Sequence, residues 1–132
     1  NKNFKILVMS HLSSMRTCLS NLTLLEHSLT VLGINWYREN YSHVVIPQDN
    51  GHDFGFFWNG KEFEFIGDEK LWIQVWSIGT FIEKIQYQYI YKSLDVDLKL
   101  RGLYDVKIDP KEITQELDKI VVETWNYNSA AV

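Results

Sequence analysis

The sequence predicts an α+β fold in which an antiparallel sheet carries two helices packed on one face. Three observations predict it. Residues 19–32 and 77–101 repeat apolar residues at helical spacing. Several short apolar and aromatic runs, separated by Gly, Pro and Asn, indicate strands. The connections between these runs are short enough for antiparallel pairing, so two helices are expected to cover one side of a single sheet.

The bulk composition limits the classes of protein that need consideration. A length of 132 residues fits one domain, and a hydrophobic content of 45% is enough for a core. The formal net charge of −4 disfavours nonspecific nucleic-acid binding. No apolar run in the sequence reaches the length of a membrane span, so membrane insertion is not expected. Cys18 is the single cysteine, which favours a reducing compartment.

The N-terminal residues 1–8 precede the first methionine, Met9. Two interpretations remain open. Residues 4–8 form an edge strand, or Met9 is the natural start and residues 1–8 are a dispensable extension. The predicted organisation is therefore a single α+β domain over residues 9–126, followed by a flexible tail over residues 127–132.

The first predicted elements are a weak strand at residues 10–17 and a helix at residues 19–32. Leucines at three- and four-residue spacing form the apolar stripe of this helix. Gly33 is predicted to end this helix. Residues 34–38 and 43–46 are then predicted to be two short strands.

The stretch FGFFWNGKEFEF, residues 54–65, predicts a hairpin with Asn59-Gly60 as a two-residue type I′ turn. This turn would place Trp58 opposite Lys61 and Phe57 opposite Glu62. Cross-strand partners share a face, so the pattern assigns one face to the core and the other to solvent. The predicted core face carries Phe54, Phe56, Phe63 and Phe65.

Ser77 is the predicted N-cap of the second helix, and Gly102 its stop. The inner stripe of that helix is predicted to comprise Ile78, Phe81, Ile82, Ile85, Tyr89 and Val96. Residues 103–109 are predicted to form a strand and residues 118–125 the last strand. Residues 111–117 between them are predicted to be a polar connection, with one helical turn as the alternative.

Sequence motifs for catalysis are absent, since no phosphate-binding glycine loop and no GxSxG, HExxH or CxxC pattern occurs. No catalytic residue, metal site or cofactor is therefore predicted, and Cys18 is expected to be a buried small side chain before the first helix. Asp68 lies near two tryptophans in the sequence, which could raise its pKa, although a loop-capping role is the simpler interpretation.

Five segments of the sequence together resemble a known family: MSHLSSMRT, LTVLGI, FGFFWNGKEFEFIGD, WSIGTFIEKIQYQYIY and IVVETW. They are similar to the hypothetical chloroplast reading frame 35 family of algal plastids and cyanobacteria, over residues 9–126. The resemblance implies a plastid-encoded protein of the stroma that begins at Met9, and it leaves the biochemical activity open because none is established for the family. The family usually reads Ala-Asp where this chain has Gly67-Asp68, and many members have an Asp-Gly turn where this chain reads TQEL.

The function predicted from these observations is that of a non-enzymatic assembly or regulatory factor that binds an unidentified protein partner. Phe57 and Trp58, with Glu62 as a polar rim, are the predicted protein contact. The alternative for Trp58 is packing against Trp72 or Trp76 at the core edge. The rival function is a small-molecule or cofactor-binding domain, or an enzyme, with a pocket near His11, Trp58 and Asp68.

Overall fold

The computed structural model describes residues 12–119 and 126–127. Along the chain these residues form β1 (Ser13–Met15), α1 (Leu22–Val31), β2 (Tyr37–Asn40), β3 (His43–Ile46), β4 (Phe54–Trp58), β5 (Phe63–Gly67), a 3-10 turn (Glu69–Leu71), α2 (Ile78–Leu100), α3 (Pro110–Lys119) and β6 (Asn126–Tyr127). The strands make one antiparallel sheet in the order β2-β3-β4-β5-β1-β6. The predicted α+β class and its antiparallel sheet are confirmed.

The core lies between α1, α2 and one face of the sheet. The four phenylalanines predicted to share a face are all at most 2% exposed, which confirms the face assignment. They pack with leucines of α1 and with the inner residues of α2 in one apolar cluster. Burying aromatic rings of this size is the main stabilisation available to a domain of this length. We call this side of the sheet the core face and the opposite side the open face.

Both principal helices end at the predicted glycine stops, and the second begins at its predicted cap, Ser77. The Asn21 side chain accepts a hydrogen bond from the Leu24 amide, and the Ser77 side chain accepts one from the Thr80 amide. After each helix the chain passes through a glycine with positive φ, 72° at Gly33 and 76° at Gly102. The first helix begins at Leu22 rather than at residue 19, because Asn21 supplies the cap.

The β4–β5 hairpin keeps its predicted faces but has a different register. Trp58 pairs with Phe63 and Phe57 with Glu64, so residues 59–62 form a four-residue connection. Only Gly60 in this connection has positive φ, at 99°, which excludes the type I′ turn predicted for it. Asn59 Oδ1 accepts hydrogen bonds from the Lys61 and Glu62 amides, each 2.9 Å long. A register shift of two residues preserves both faces, because side chains alternate with a period of two.

The C-terminal part of the chain differs most from the prediction. Residues 103–109 form no strand, and a helix, α3, occupies the segment predicted to be a polar connection. Asp109 Oδ1 accepts a hydrogen bond from the Lys111 amide at the helix start, and Pro110 occupies the first helical position. The burial of Ile113, which is fully inaccessible, provides the tertiary contact that stabilises this short helix.

Two further predictions concern the chain ends. The predicted last strand, residues 118–125, lies outside the described residues except for its first two, which belong to α3. Asn126–Tyr127 pair with Ser13 and Ser14 of β1. Residues 1–8 and Met9 also lie outside the described residues.

Candidate functional site

The two aromatic residues predicted to form a joint contact lie on opposite faces of the sheet. Phe57 follows the core-facing Phe56, so its ring lies on the open face. Trp58 returns to the core side at the end of the strand, where its ring packs edge-to-face on Phe63 with centroids 5.1 Å apart. Trp58 itself is 38% exposed. These two rings therefore cannot anchor the same partner surface from one side of the hairpin.

Trp58 also lies far from the tryptophan predicted as its alternative neighbour. Trp72 packs against Phe54 and Phe81, with centroids 4.9 Å apart in each pair. Phe54 is at the start of β4 and Trp58 at its end. The Trp72 indole Nε1 donates to the Trp76 carbonyl oxygen over 2.7 Å, which fixes the loop before α2. Trp72 thus closes one end of the core, and Trp58 covers the other.

Glu62 has a structural partner in place of the predicted role at a polar rim. It lies in the hairpin connection, is 7% exposed, and is not opposite Phe57. Arg16 donates to its Oε1 from Nε at 3.1 Å and from Nη2 at 2.9 Å. This ion pair holds the segment after β1 against the hairpin connection. A largely buried carboxylate needs such a partner to offset its desolvation.

The residues predicted to form a ligand pocket are separated. Asp68 Oδ1 caps the 3-10 turn by accepting a hydrogen bond from the Lys70 amide, 3.1 Å away, as the simpler interpretation predicted. Trp58 is opposite Phe63, five residues before Asp68 along β5, which corresponds to about 16 Å of extended chain. His11 lies outside the described residues. Trp58 and Asp68 therefore do not share a pocket.

A stacked ring pair occupies the open face instead. The His43 and Phe57 rings are 4.0 Å apart with an interplanar angle of 23°. Burial lowers the pKa of His43, an effect that the nearby Glu39 carboxylate only partly opposes. The imidazole is therefore held in its neutral form more strongly than in an exposed histidine. The hairpin pattern did not reveal this pair, because its members lie on β3 and β4.

Cys18 is exposed, so the prediction of a buried side chain was wrong. It lies between two buried residues, Thr17 and Leu19, in the extended segment before α1, where alternate side chains face solvent. Partial burial raises the pKa of the thiol, and the Glu62 carboxylate raises it further. The thiolate form is disfavoured there, which argues against a nucleophilic role.

Within residues 12–119 and 126–127, no group of three His, Cys, Asp or Glu side chains could hold a metal ion. None of the helices described there combines the length and apolar character needed to cross a bilayer.

Several exposed apolar residues lie on α2 and just past its end, beyond the part that covers the sheet. Val96 was predicted to be an inner residue, but it is 38% exposed. Leu100 is 82% exposed and Leu103, just past the helix, is 43% exposed. At 100° per residue Val96 and Leu100 continue the stripe of Ile78 and Ile85, and Leu103 follows the end of the helix after Gly102. We call Val96, Leu100 and Leu103 the uncovered stripe.

The stripe is uncovered because the helix is longer than the surface beneath it. A helix of 23 residues spans about 35 Å. Its inner residues are buried as far as Gln86, and Tyr89 is partly buried. The hydroxyl of Tyr89 accepts hydrogen bonds from the Ser20 and Asn21 amides at the start of α1. Beyond this contact the apolar face of α2 continues without a core to cover it. Periodicity alone identifies the stripe but not the point at which the core ends.

The fold and these surfaces define a small α+β protein whose accessible features are an uncovered helix stripe and an open sheet face. Comparison with known proteins assigns it to a family. The chain belongs to the family of proteins of unknown function DUF1257, which matches residues 19–103, and its relatives carry the name ycf35. The family resemblance found in the sequence is confirmed.

Three relatives show the extent of the similarity. An uncharacterized protein ycf35 of Guillardia theta is 35% identical over 128 residues, covering 89% of this chain and 98% of the relative. The ycf35 protein of Pyropia yezoensis is 33% identical, covering 90% of this chain and all of the relative. The ycf35 protein of Cyanophora paradoxa is 27% identical, covering 90% of this chain and all of the relative. No solved structure matches the chain. Because ycf names denote chloroplast reading frames, the predicted plastid localisation is confirmed.

Proposed function

We propose that the protein is a non-enzymatic plastid factor that binds another protein through the uncovered stripe of α2. The observation that carries the proposal is the continuity of the stripe with the core-facing side of the helix. Val96 and Leu100 have the four-residue spacing of residues that a helix places into an apolar groove of a partner, and Leu103 is a further exposed apolar residue just past the helix end. The stripe differs from scattered exposed apolar residues, which are normal on protein surfaces.

The charges around the stripe favour a protein partner over a phosphate-bearing one. Lys99 Nζ lies 3.0 Å from an Asp95 oxygen, and Arg101 Nη2 lies 2.6 Å from an Asp97 oxygen. Lys92 is 3.6 Å from the same Asp95 carboxylate. The three cations beside the stripe are thus paired with two carboxylates, which offsets most of their charge and weakens attraction to phosphate groups. An apolar groove rimmed by polar side chains is the complementary surface.

Site-specific photocrosslinking tests this assignment in plastids. A photoreactive amino acid is placed at position 100 in the stripe, or at position 75, where Val75 is 97% exposed in the loop before α2. Proteins crosslinked in intact plastids are then identified by mass spectrometry. We expect a defined partner from position 100 that is absent at position 75. Identical products at the two positions would contradict the proposal, and a crosslink to a second copy of this chain would replace it with self-association.

A matched series of substitutions provides a second test of the proposed contact. The triple change Val96→Ser, Leu100→Ser, Leu103→Ser should abolish capture of the partner, because each buried apolar side chain contributes about 1.5–3 kcal/mol to an interface. The control, Val75→Ser, should retain it. Since the three residues are exposed, the melting temperature of the triple variant should stay within a few degrees of the original. Retained capture by the folded triple variant would overturn the proposal.

A further inference from the structure

The open face of the sheet contains a depression of about 490 Å³. Its floor is formed by Val45 and Gly55, which pair across β3 and β4. Tyr37 on β2 and Ile66 on β5 continue the same row at either end, because Tyr37 pairs with Val45 and Ile66 with Gly55. Three strand spacings separate these two walls, which corresponds to about 14 Å. That width admits one flat ring system between them.

The stacked rings of His43 and Phe57 form the third wall. Their position depends on Gly55, because a Cβ there would lie 2.9 Å from both His43 Nε2 and Phe57 Cε2. Such a contact is too short for either ring to keep its place. A side chain at position 55 would also fill the floor. The glycine therefore leaves the floor open and permits the ring pair beside it.

The charged residues that line the depression indicate which class of ligand it would bind. Among the lining residues that the structure describes, Glu39 and Asp53 are carboxylates, and no lysine or arginine is present. Arg38, the nearest arginine in sequence, is turned to the core face, where it binds Glu26 at 2.5 and 2.7 Å. Burial lowers the pKa of His43 and so favours the neutral imidazole. Over the part of the chain that the structure describes, the depression thus offers two carboxylates that attract a cation and no lysine or arginine to attract an anion.

We propose that this depression is a binding site for a planar aromatic ligand that carries a positively charged nitrogen. The flat face of the ligand lies on Val45 and Gly55, its edges meet Tyr37 and Ile66, and its charge is directed toward Glu39. The volume is within the range of small-molecule sites, and an apolar lining with a few polar groups is typical of them. The site is independent of the uncovered stripe, because the core face, which α2 covers, is the other side of the sheet.

Three small probes separate shape from charge in a titration of the ¹⁵N-labelled full chain. The planar cation is 1-methylquinolinium, the planar anion is naphthalene-2-sulfonate, and the non-planar cation is trimethylcyclohexylammonium. We expect 1-methylquinolinium to shift the amide signals of Val45, Gly55 and Ile66 in a saturable way. The other two probes should bind at least about fivefold more weakly, the ratio expected for the loss of about 1 kcal/mol.

Two variants and a control locate the site. Tyr37→Ala removes a wall, and Glu39→Gln removes the charge, so each should weaken 1-methylquinolinium binding several-fold. Both residues are exposed on edge strand β2, so neither change should prevent folding. Tyr41→Ala, at an exposed position outside the depression, should leave the affinity unchanged. Equal affinities for the cation and the sulfonate, shifts confined to other residues, or no saturable shift up to about 10 mM would each overturn the proposal.

Discussion

The Phe54 ring occupies the space that a side chain at Gly67 would need. A Cβ built at position 67 would lie 2.3 Å from Phe54 Cδ2, closer than any real contact. Both residues are buried, at the end of the core that Trp72 closes. This relationship explains why the chain has a glycine at position 67: the phenylalanine ring fills the place that a methyl group would occupy.

We therefore expect Gly67→Ala to destabilise the protein by about 1–3 kcal/mol, the usual cost of adding a methyl group to a filled core. In the background of Phe54→Leu, whose side chain is smaller, the same change should cost less. Chemical unfolding of the two single variants and the double variant measures this coupling. Additive effects would show that the cost of Gly67→Ala does not arise from contact with the Phe54 ring.

The two faces of β4 should respond differently to truncation. Phe56 is fully buried on the core face, so Phe56→Ala should lower the free energy of unfolding by about 3–5 kcal/mol. Phe57 is only partly buried on the open face, so Phe57→Ala should cost clearly less. Thermal and urea unfolding of both variants provides the comparison. If Phe56→Ala unfolds no earlier than the original protein, the face assignment is wrong.

The hydroxyl group of Tyr89 should contribute measurably to the α1–α2 contact. It accepts hydrogen bonds from the Asn21 amide at 2.9 Å and from the Ser20 amide at 3.2 Å. Tyr89→Phe removes only the acceptor and should cost about 1 kcal/mol. Tyr91→Phe, at an exposed position on the same helix, is the matched control. Equal stability of the two variants would show that water replaces the hydroxyl without loss.

His43 should make the stability of the protein sensitive to mild acid. Its pKa is lowered in the folded state, chiefly by burial, from the ordinary value of about 6.5. A lowered histidine pKa contributes stability that is complete above about pH 6.5 and is lost as the pH falls through the folded value. Among the described residues, Tyr37, Glu39 and Asp53 also line the depression, and Glu64 lies on the same face opposite Phe57.

We expect the free energy of unfolding to fall between pH 7 and about pH 5, and to fall less in His43→Gln. Above about pH 5 the carboxylates remain mostly ionised, so their protonation contributes little to the difference between the two proteins. Urea unfolding at several pH values measures both slopes. Parallel slopes in the original protein and the variant would contradict the prediction.

The sequence by itself determined which residues face the core and where the main helices end. The assignment of Phe54 and Phe65 to the core face follows from the two-residue alternation of side chains along a strand. A register shift of two residues leaves this assignment unchanged. The caps at Ser77 and Gly102 act through hydrogen bonds and backbone angles within a few residues, so local sequence was sufficient for them. The plastid family was likewise recognisable from short segments of the sequence.

The tertiary structure alone decided the features that depend on distant partners. The length of the hairpin connection depends on Asn59 capping and on the Arg16–Glu62 ion pair, whose members are 46 residues apart. The exposure of Val96 depends on where the core beneath α2 ends, which periodicity cannot reveal. The open-face depression joins Tyr37, Gly55 and Ile66 from three strands, and only the register of the sheet places them in one row. Such contacts are set by packing between remote segments, whereas caps and alternation are set by neighbours in the chain.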